Sequence, residues 1–240
     1  MKKVNELFWV VTALINFGLI LLAYRLFGKV GLYGWIVLVI VLANVQVLKT
    51  VELFGMVTTT GNILFATSFL VTDILNEIYG RTAARRAVLL GFFGLISATI
   101  VMQLTLQFLP HASDWAQPAL ETIFGIFPRV ALASATAYLI SQFHDVWAYS
   151  MWRKRFTTRR QIWLRNNLST MISQAIDTVI FTFIAFWNVF PIEVFWDILI
   201  TTYFLKWIVA AGDTPFVYIA RWMYEKGKVS SGNEREKPVI

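Results

Sequence analysis

The sequence predicts an all-α integral membrane protein of seven transmembrane helices, and three observations carry the prediction. Hydrophobic residues make up 58% of the 240-residue chain and charged residues 15%, against roughly 45–50% and about 25% in soluble domains. The apolar residues fall in runs of about 20, the length a helix needs to cross the hydrocarbon core of a bilayer. Lys and Arg gather in alternate connections, as they do on the cytoplasmic side of a membrane. Strand alternation is nowhere sustained, which argues against a β-barrel.

The runs place helices at 8–27, 30–48, 61–79, 87–109, 125–149, 168–189 and 194–223, within one polytopic membrane domain spanning 1–226. Residues 227–240 read as a polar, flexible cytoplasmic tail. Lys2 and Lys3 precede the first run as in a signal peptide. Its apolar stretch, however, exceeds the roughly 7–15 residues of a signal core, and no small-residue cleavage site follows, so a retained helix is expected. The seventh run is too long for one straight span and is expected to tilt or project into water.

The net charge of +7 is explained by position. Arg81, Arg85 and Arg86 follow the third run, and six cations from Arg153 to Arg165 fill the connection after the fifth. Arg221, Lys226, Lys228, Arg235 and Lys237 follow or close the seventh. The intervening loops carry Asp114, Glu121, Glu193 and Asp197 instead. This pattern puts the C-terminus in the cytoplasm and, with seven crossings, the N-terminus outside. The basic excess is a topology signal, not a sign of nucleic-acid binding. Cysteine is absent and His111 and His144 are the only histidines, so neither a thiolate site nor a multi-histidine metal centre is expected. No cofactor is implied. The P-loop, His-Glu-x-x-His and Gly-x-Ser-x-Gly motifs are missing, which argues against an enzyme.

Charged residues inside a membrane cost about 2.5–3.5 kcal/mol on insertion scales and need a partner or a purpose. Asp73, Asn76 and Glu77 share one face of the third helix, where Arg81 and Arg85 offer neutralisation as a purely interfacial alternative. Asn167, Thr170, Gln174, Asp177 and Phe181 step by three and four along the sixth helix and form one stripe. Asp177 lies about nine residues, or roughly 14 Å, from the basic connection, near the midplane. Lys206 reaches similar depth in the seventh helix, with Tyr203, Ala210 and Asp213 on its face. Asp177 is therefore its natural partner, either in a functional site or in a structural salt bridge. Pro215 removes a helix hydrogen bond beside Asp213 and invites a kink. Ala131, Ala133, Ser134, Ala135 and Ala137 give the fifth helix a small-residue face for packing within or between subunits, which leaves a homo-oligomer open.

Several of these residues stand in recognisable strings. They include Ser68-Phe-Leu-Val-Thr-Asp73-Ile-Leu-Asn-Glu77-Ile-Tyr-Gly80-Arg, Gln142-Phe-His-Asp145-Val and Arg165-Asn-Asn-Leu-Ser-Thr. Gln174-Ala-Ile-Asp177, Tyr203-Phe-Leu-Lys206 and Asp213-Thr-Pro215 continue the set. Together they resemble the queuosine precursor transporter family, also called the vitamin uptake transporter family, from about Asn44 to Tyr224. The resemblance implies a multi-pass protein of the bacterial inner membrane that imports 7-deazaguanine bases, chiefly the 7-cyano and 7-aminomethyl compounds, for queuosine salvage. It implies a six-helix core similar to the substrate-binding subunits of energy-coupling-factor vitamin transporters, with the first helix as an addition. Alternative readings are a binding subunit served by a separate ATPase, and a structural or other intramembrane helical protein.

A 7-deazaguanine presents adjacent N–H donors that a carboxylate accepts in bidentate fashion, for which Asp177 or Glu77 is the candidate. Asn76, Gln174 or Lys206 would serve the ring oxygen. Asp213 or Asp73 would meet a cationic aminomethyl group. Phe65, Phe69, Phe181 and Trp207 offer stacking faces. Asn167 and Tyr203 complete the expected set, with the lipid bilayer and the small-molecule substrate as the expected partners.

Overall fold

The computed structural model describes residues 2–188 and 191–230. Its elements are α1 (Lys2–Gln46), β1 (Thr50–Leu53), β2 (Met56–Thr59), α2 (Gly61–Tyr79), α3 (Arg81–Thr105), α4 (Gln117–Phe124), α5 (Phe127–Arg155), α6 (Ile162–Phe186) and α7 (Ile192–Glu225). Helix dominates because the apolar runs satisfy their own backbone groups only in this form once water is excluded.

The expected helices at 8–27 and 30–48 are two limbs of α1, broken at Gly28, whose φ of 58° and ψ of −140° are non-helical. A Cβ there would also sit 2.8 Å from the Ser230 carbonyl oxygen, so glycine suits this turn on two counts. The limbs fold back on each other. Asn5, near the start of α1, donates to the Glu52 carbonyl beyond its end at 3.2 Å, whereas a straight helix of this length would hold them more than ~60 Å apart. Tyr24, near the break, meets Tyr79 at the far end of α2.

Five stretches among the described residues are long and apolar enough to cross a membrane: Val4–Gln46, Arg81–Thr105, Gln117–Arg155, Arg159–Phe186 and Ile192–Glu225. Helix α2 occupies the expected bounds but is not among them. Asn62, Asp73, Asn76 and Glu77 dilute its apolar character. It lies instead at the centre, packed by α1, α3, α5, α6 and α7, with every residue from Gly61 to Ile78 buried. Polar side chains cluster inward along α2 and α6, while large apolar ones such as Leu14, Phe93, Leu132, Ile200 and Phe204 face outward. That inversion suits a lipid solvent, since an apolar surface this extensive is a liability in water.

A hairpin and a short helix are not expected from the sequence. Strands β1 and β2 pair antiparallel, Thr50 opposite Thr59, around a turn at Phe54 and Gly55, both of positive φ. Four-residue strands are too short to display sustained alternation. Helix α4 interrupts the expected 110–124 loop. Pro118 stands in its first turn, and Asp114 Oδ1 accepts the backbone N–H groups of Ala116 and Gln117 at 2.8 and 3.2 Å, a favourable start for a helix.

Helix α7 remains helical through Pro215 rather than breaking beside it. The small-residue face of α5 is buried inside this chain, and α5 makes its most extensive contact with α6. Residues 227–230 of the expected tail are described: Ser230 N–H donates to the Arg25 carbonyl at 2.9 Å, which ties the tail to the Gly28 turn. Residues 231–240, and Val189 at the end of the expected sixth helix, lie outside the described residues.

Candidate substrate site

Three buried polar groups lie at successive levels of the bundle, and their hydrogen bonding separates them. At the basic end, Glu77 of α2 is fully enclosed. Arg165 Nη2 lies 2.5 Å from Oε1 and Arg165 Nε 3.0 Å from Oε2. Arg221 Nη1 also donates to Oε1, the Tyr149 hydroxyl donates to Oε2 at 3.0 Å, and Arg153 Nε stands 4.0 Å away. Among the described residues, the expected neutralisers Arg81 and Arg85 do not pair with it. They lie beyond the Gly80 turn on α3, whereas α5, α6 and α7 bring other arginines to the carboxylate. Asn76 beside it donates to the Val146 carbonyl at 3.1 Å, and its own backbone carbonyl accepts from Arg153 Nη1 at 2.7 Å. Both residues are committed to binding α2 to its neighbours.

One turn further into the bundle, Asp73 of α2, Asp145 of α5 and Asp213 of α7 are buried together. Thr170 donates to Asp73 Oδ2 at 3.1 Å, and Asn166 Nδ2 to Asp213 Oδ1 at 2.9 Å. Asp145 faces the Asp73 carboxyl and the hydroxyls of Ser169, Thr170 and Ser173. Those hydroxyls spend their single protons elsewhere, on the Asn166 carbonyl, Asp73 and the Ser169 carbonyl. A hydroxyl has one proton to donate, so these three leave the Asp145 oxygens without a hydroxyl donor and facing the Asp73 carboxyl.

At mid-depth toward the hairpin end, Lys206 Nζ stands 2.5 Å from Asp177 Oδ2, the pairing expected from their depths. Ser141 donates to Asp177 Oδ1 at 3.1 Å, and Phe65 presents its ring 5.0 Å below the ammonium, a cation–π contact. This pair borders a small cavity lined also by Asn62, Phe181, Thr182 and Thr202. Its free volume is about 30 Å³, below the roughly 300–1,000 Å³ of occupied ligand pockets. Gly61 at its rim allows α2 to begin against the end of α1, for a Cβ there would come within 2.7 Å of the Val47 nitrogen. In the cavity lining, polar atoms of Asn62 and Thr182 are buried without a protein partner, as are those of Gln174 and Thr178 elsewhere on α6. Both ends of the Gln174 amide are unmet, a costly arrangement unless something else completes it.

The bundle therefore brings Asp177, Lys206, Phe65 and Phe181 to one cavity and buries Gln174 on the same face of α6, three residues before Asp177. Asp73 and Asp213 belong to the acidic layer, and Glu77 and Asn76 to the arginine clamp. Phe69 is buried in α2 away from the cavity lining. Tyr203 and Trp207 are half-buried outside it, Trp207 against Phe204. Asn167 sits at the margin of the α6 stripe, bonded to the Trp163 carbonyl and the Thr214 hydroxyl. Its neighbour Asn166 is the buried one. The inward face of α6 is thus one residue wider than the three-four stepping marks out. Asn62 and Ser141 carry no distinct signal in the sequence, and Arg165 and Asn166 stand there only as a loop cation and as part of a family-like string, not as site candidates. Neighbouring small polar residues on α2, α5 and α6 are a weak signal until the helices are packed.

Residues 59–220 match the family described as "Putative vitamin uptake transporter", inside the stretch that carried the resemblance. The "Probable queuosine precursor transporter" of Bacillus subtilis (strain 168) is 48% identical over 227 residues, 95% of this chain and 99% of that protein. The "Queuosine precursor transporter" of Escherichia coli (strain K12) is 30% identical over 177 residues, 72% of this chain and 76% of that one. No solved structure matches, so a likeness to energy-coupling-factor subunits has no structural comparison behind it. With a polar interior in an apolar shell, and with this extent of identity, the chain belongs to the vitamin uptake transporter family of multi-pass membrane transporters.

Proposed function

We propose that this protein imports queuosine precursors, 7-deazaguanine bases in their 7-cyano or 7-aminomethyl forms, across a bacterial inner membrane for tRNA queuosine salvage. Alignment with two relatives named as queuosine precursor transporters, one of them over 95% of this chain, supports the reading. The observation that carries its chemistry is the Asp177–Lys206 pair beside Phe65 and Phe181, in a cavity whose lining includes unmet hydrogen-bonding atoms of Asn62 and Thr182. Asp177 accepts the paired N–H groups of the base, Lys206 or Gln174 donates to its ring oxygen, and the phenylalanines cover its faces. The cavity must widen for this, by side chains turning aside or by movement of α7 against α6.

Seven crossings are assigned: the two limbs of α1, then α2, α3, α5, α6 and α7. The basic end, with the C-terminus, lies in the cytoplasm, and the N-terminus lies outside. The site then opens toward the outer, hairpin end, while the Glu77 clamp seals the inner end.

The test is uptake and binding of labelled precursor by Asp177→Asn and Lys206→Ala variants that still insert and fold. Both are expected to lose binding, and wild-type affinity in both rejects this site. Transport by the purified protein alone in liposomes is expected. Dependence on a separate ATPase would assign it instead as a binding subunit.

A further inference from the structure

We propose that the cleft at the basic end is a binding site for the phosphate of an anionic phospholipid. The cleft, of about 700 Å³, lies where α2 passes into α3 against the ends of α5, α6 and α7. Arg81, Arg153, Lys154, Arg165 and Arg221 line it, and no carboxylate does. Glu77 engages Arg165, Arg221 and, more loosely, Arg153, and Glu225 engages Arg221. Arg81 and Lys154 have no carboxylate partner among the described residues.

Two further observations point to an anion. Arg81 Nε is buried without any acceptor, although a guanidinium donor removed from water needs one. The first turn of the 25-residue α3 opens at the same place. Gly80, at φ 83°, provides no side-chain cap and itself lines the cleft. The first N–H groups of a helix have no partner within it, and its dipole favours negative charge there. A phosphate oxygen would meet backbone donors, the Arg81 guanidinium and the Lys154 ammonium together.

The source of the phosphate is read from the apolar part of the lining. Trp147 and Met151, 47% and 41% exposed, belong to the cleft and continue the outward apolar surface of α5. The mouth thus opens sideways toward lipid, and a headgroup whose acyl chains run along these side chains satisfies both halves. Basic pockets at the cytoplasmic ends of transmembrane helices recognise lipid headgroups in this way. Only the naming of the inner leaflet rests on the orientation proposed above.

The full-length protein, delipidated in non-ionic detergent, is offered phosphatidylglycerol, phosphatidylcholine or inorganic phosphate. Retained lipid is counted by native mass spectrometry, and Tm is followed in parallel. Phosphatidylglycerol is expected to bind saturably and raise Tm, and phosphatidylcholine to do neither. The Arg81→Ala/Lys154→Ala variant should bind phosphatidylglycerol roughly tenfold more weakly, with most of the affinity restored in Arg81→Lys/Lys154→Arg. Its precursor binding should match wild type. Phosphatidylglycerol affinity unchanged in the double-alanine variant overturns the site. Saturable binding of inorganic phosphate without phosphatidylglycerol binding overturns the lipid assignment. Loss of precursor binding in wild type with lipid binding intact overturns the transport reading alone. Labelling of Thr157→Cys from the outer face alone overturns the leaflet.

Discussion

Glu77 and Asp177 are both carboxylates buried in the bundle and paired with cations, yet their surroundings differ in kind. Glu77 receives donors from Arg165, Arg221 and Tyr149, on α6, α7 and α5. Asp177 receives one ammonium and one hydroxyl, and Asn62 and Thr182 in the same cavity lining, with Gln174 and Thr178 on the same helix, keep unmet polar atoms. Saturation fixes helices to one another. Spare hydrogen-bonding capacity beside an aromatic ring leaves room for a ligand to add contacts that the protein alone does not make. A buried charge pair is therefore not by itself a functional site, and what distinguishes the two is the state of the groups around it.

The comparison breaks most visibly at Glu77. Glu77→Ala leaves Arg165 buried without its anion and is expected to cost about 3–5 kcal/mol, seen as a lower Tm in detergent or loss of the folded protein. If it unfolds no more readily than wild type, the clamp does not hold the helices. At the other region, Lys206→Ala should destabilise by a similar mechanism. The double variant Asp177→Asn/Lys206→Met should regain most of that stability while precursor binding stays roughly a hundredfold weaker. Recovery of binding along with stability would make the pair structural.

Smaller effects sharpen the contrast. Gln174→Leu removes an amide with no protein partner, so Tm should hold or rise, whereas precursor affinity should fall roughly tenfold. A fall in Tm with unchanged affinity would place this amide with the clamp instead. Trp207→Ala should change precursor binding least, within about twofold, since the ring lies outside the cavity lining. A large loss there would move the site across α7.

Much of the helical order was legible because apolar runs of membrane length are local features. The pairing of Lys206 with Asp177 was legible because depth along a helix follows from counting residues. The partners of Glu77 were not legible, as Arg165 and Arg221 lie 88 and 144 residues away in sequence and local spacing favoured Arg81 and Arg85. The acidic layer of Asp73, Asp145 and Asp213 was hidden for the same reason, being built from three helices.

By itself the sequence determined that the chain is helical and membrane-embedded, which end of the bundle is basic, and which polar residues are too costly to be accidental. All of these depend on composition and on distance along one helix. The tertiary structure alone decided that α2 is enclosed by its neighbours, that Glu77 is sealed by arginines while Gln174 is left unmet, and that Phe65 and Phe181 face the Asp177–Lys206 pair where Phe69 and Trp207 do not. These distinctions depend on which helix faces are brought together, and a hydrogen bond or an empty space between helices is set by packing rather than by spacing along the chain.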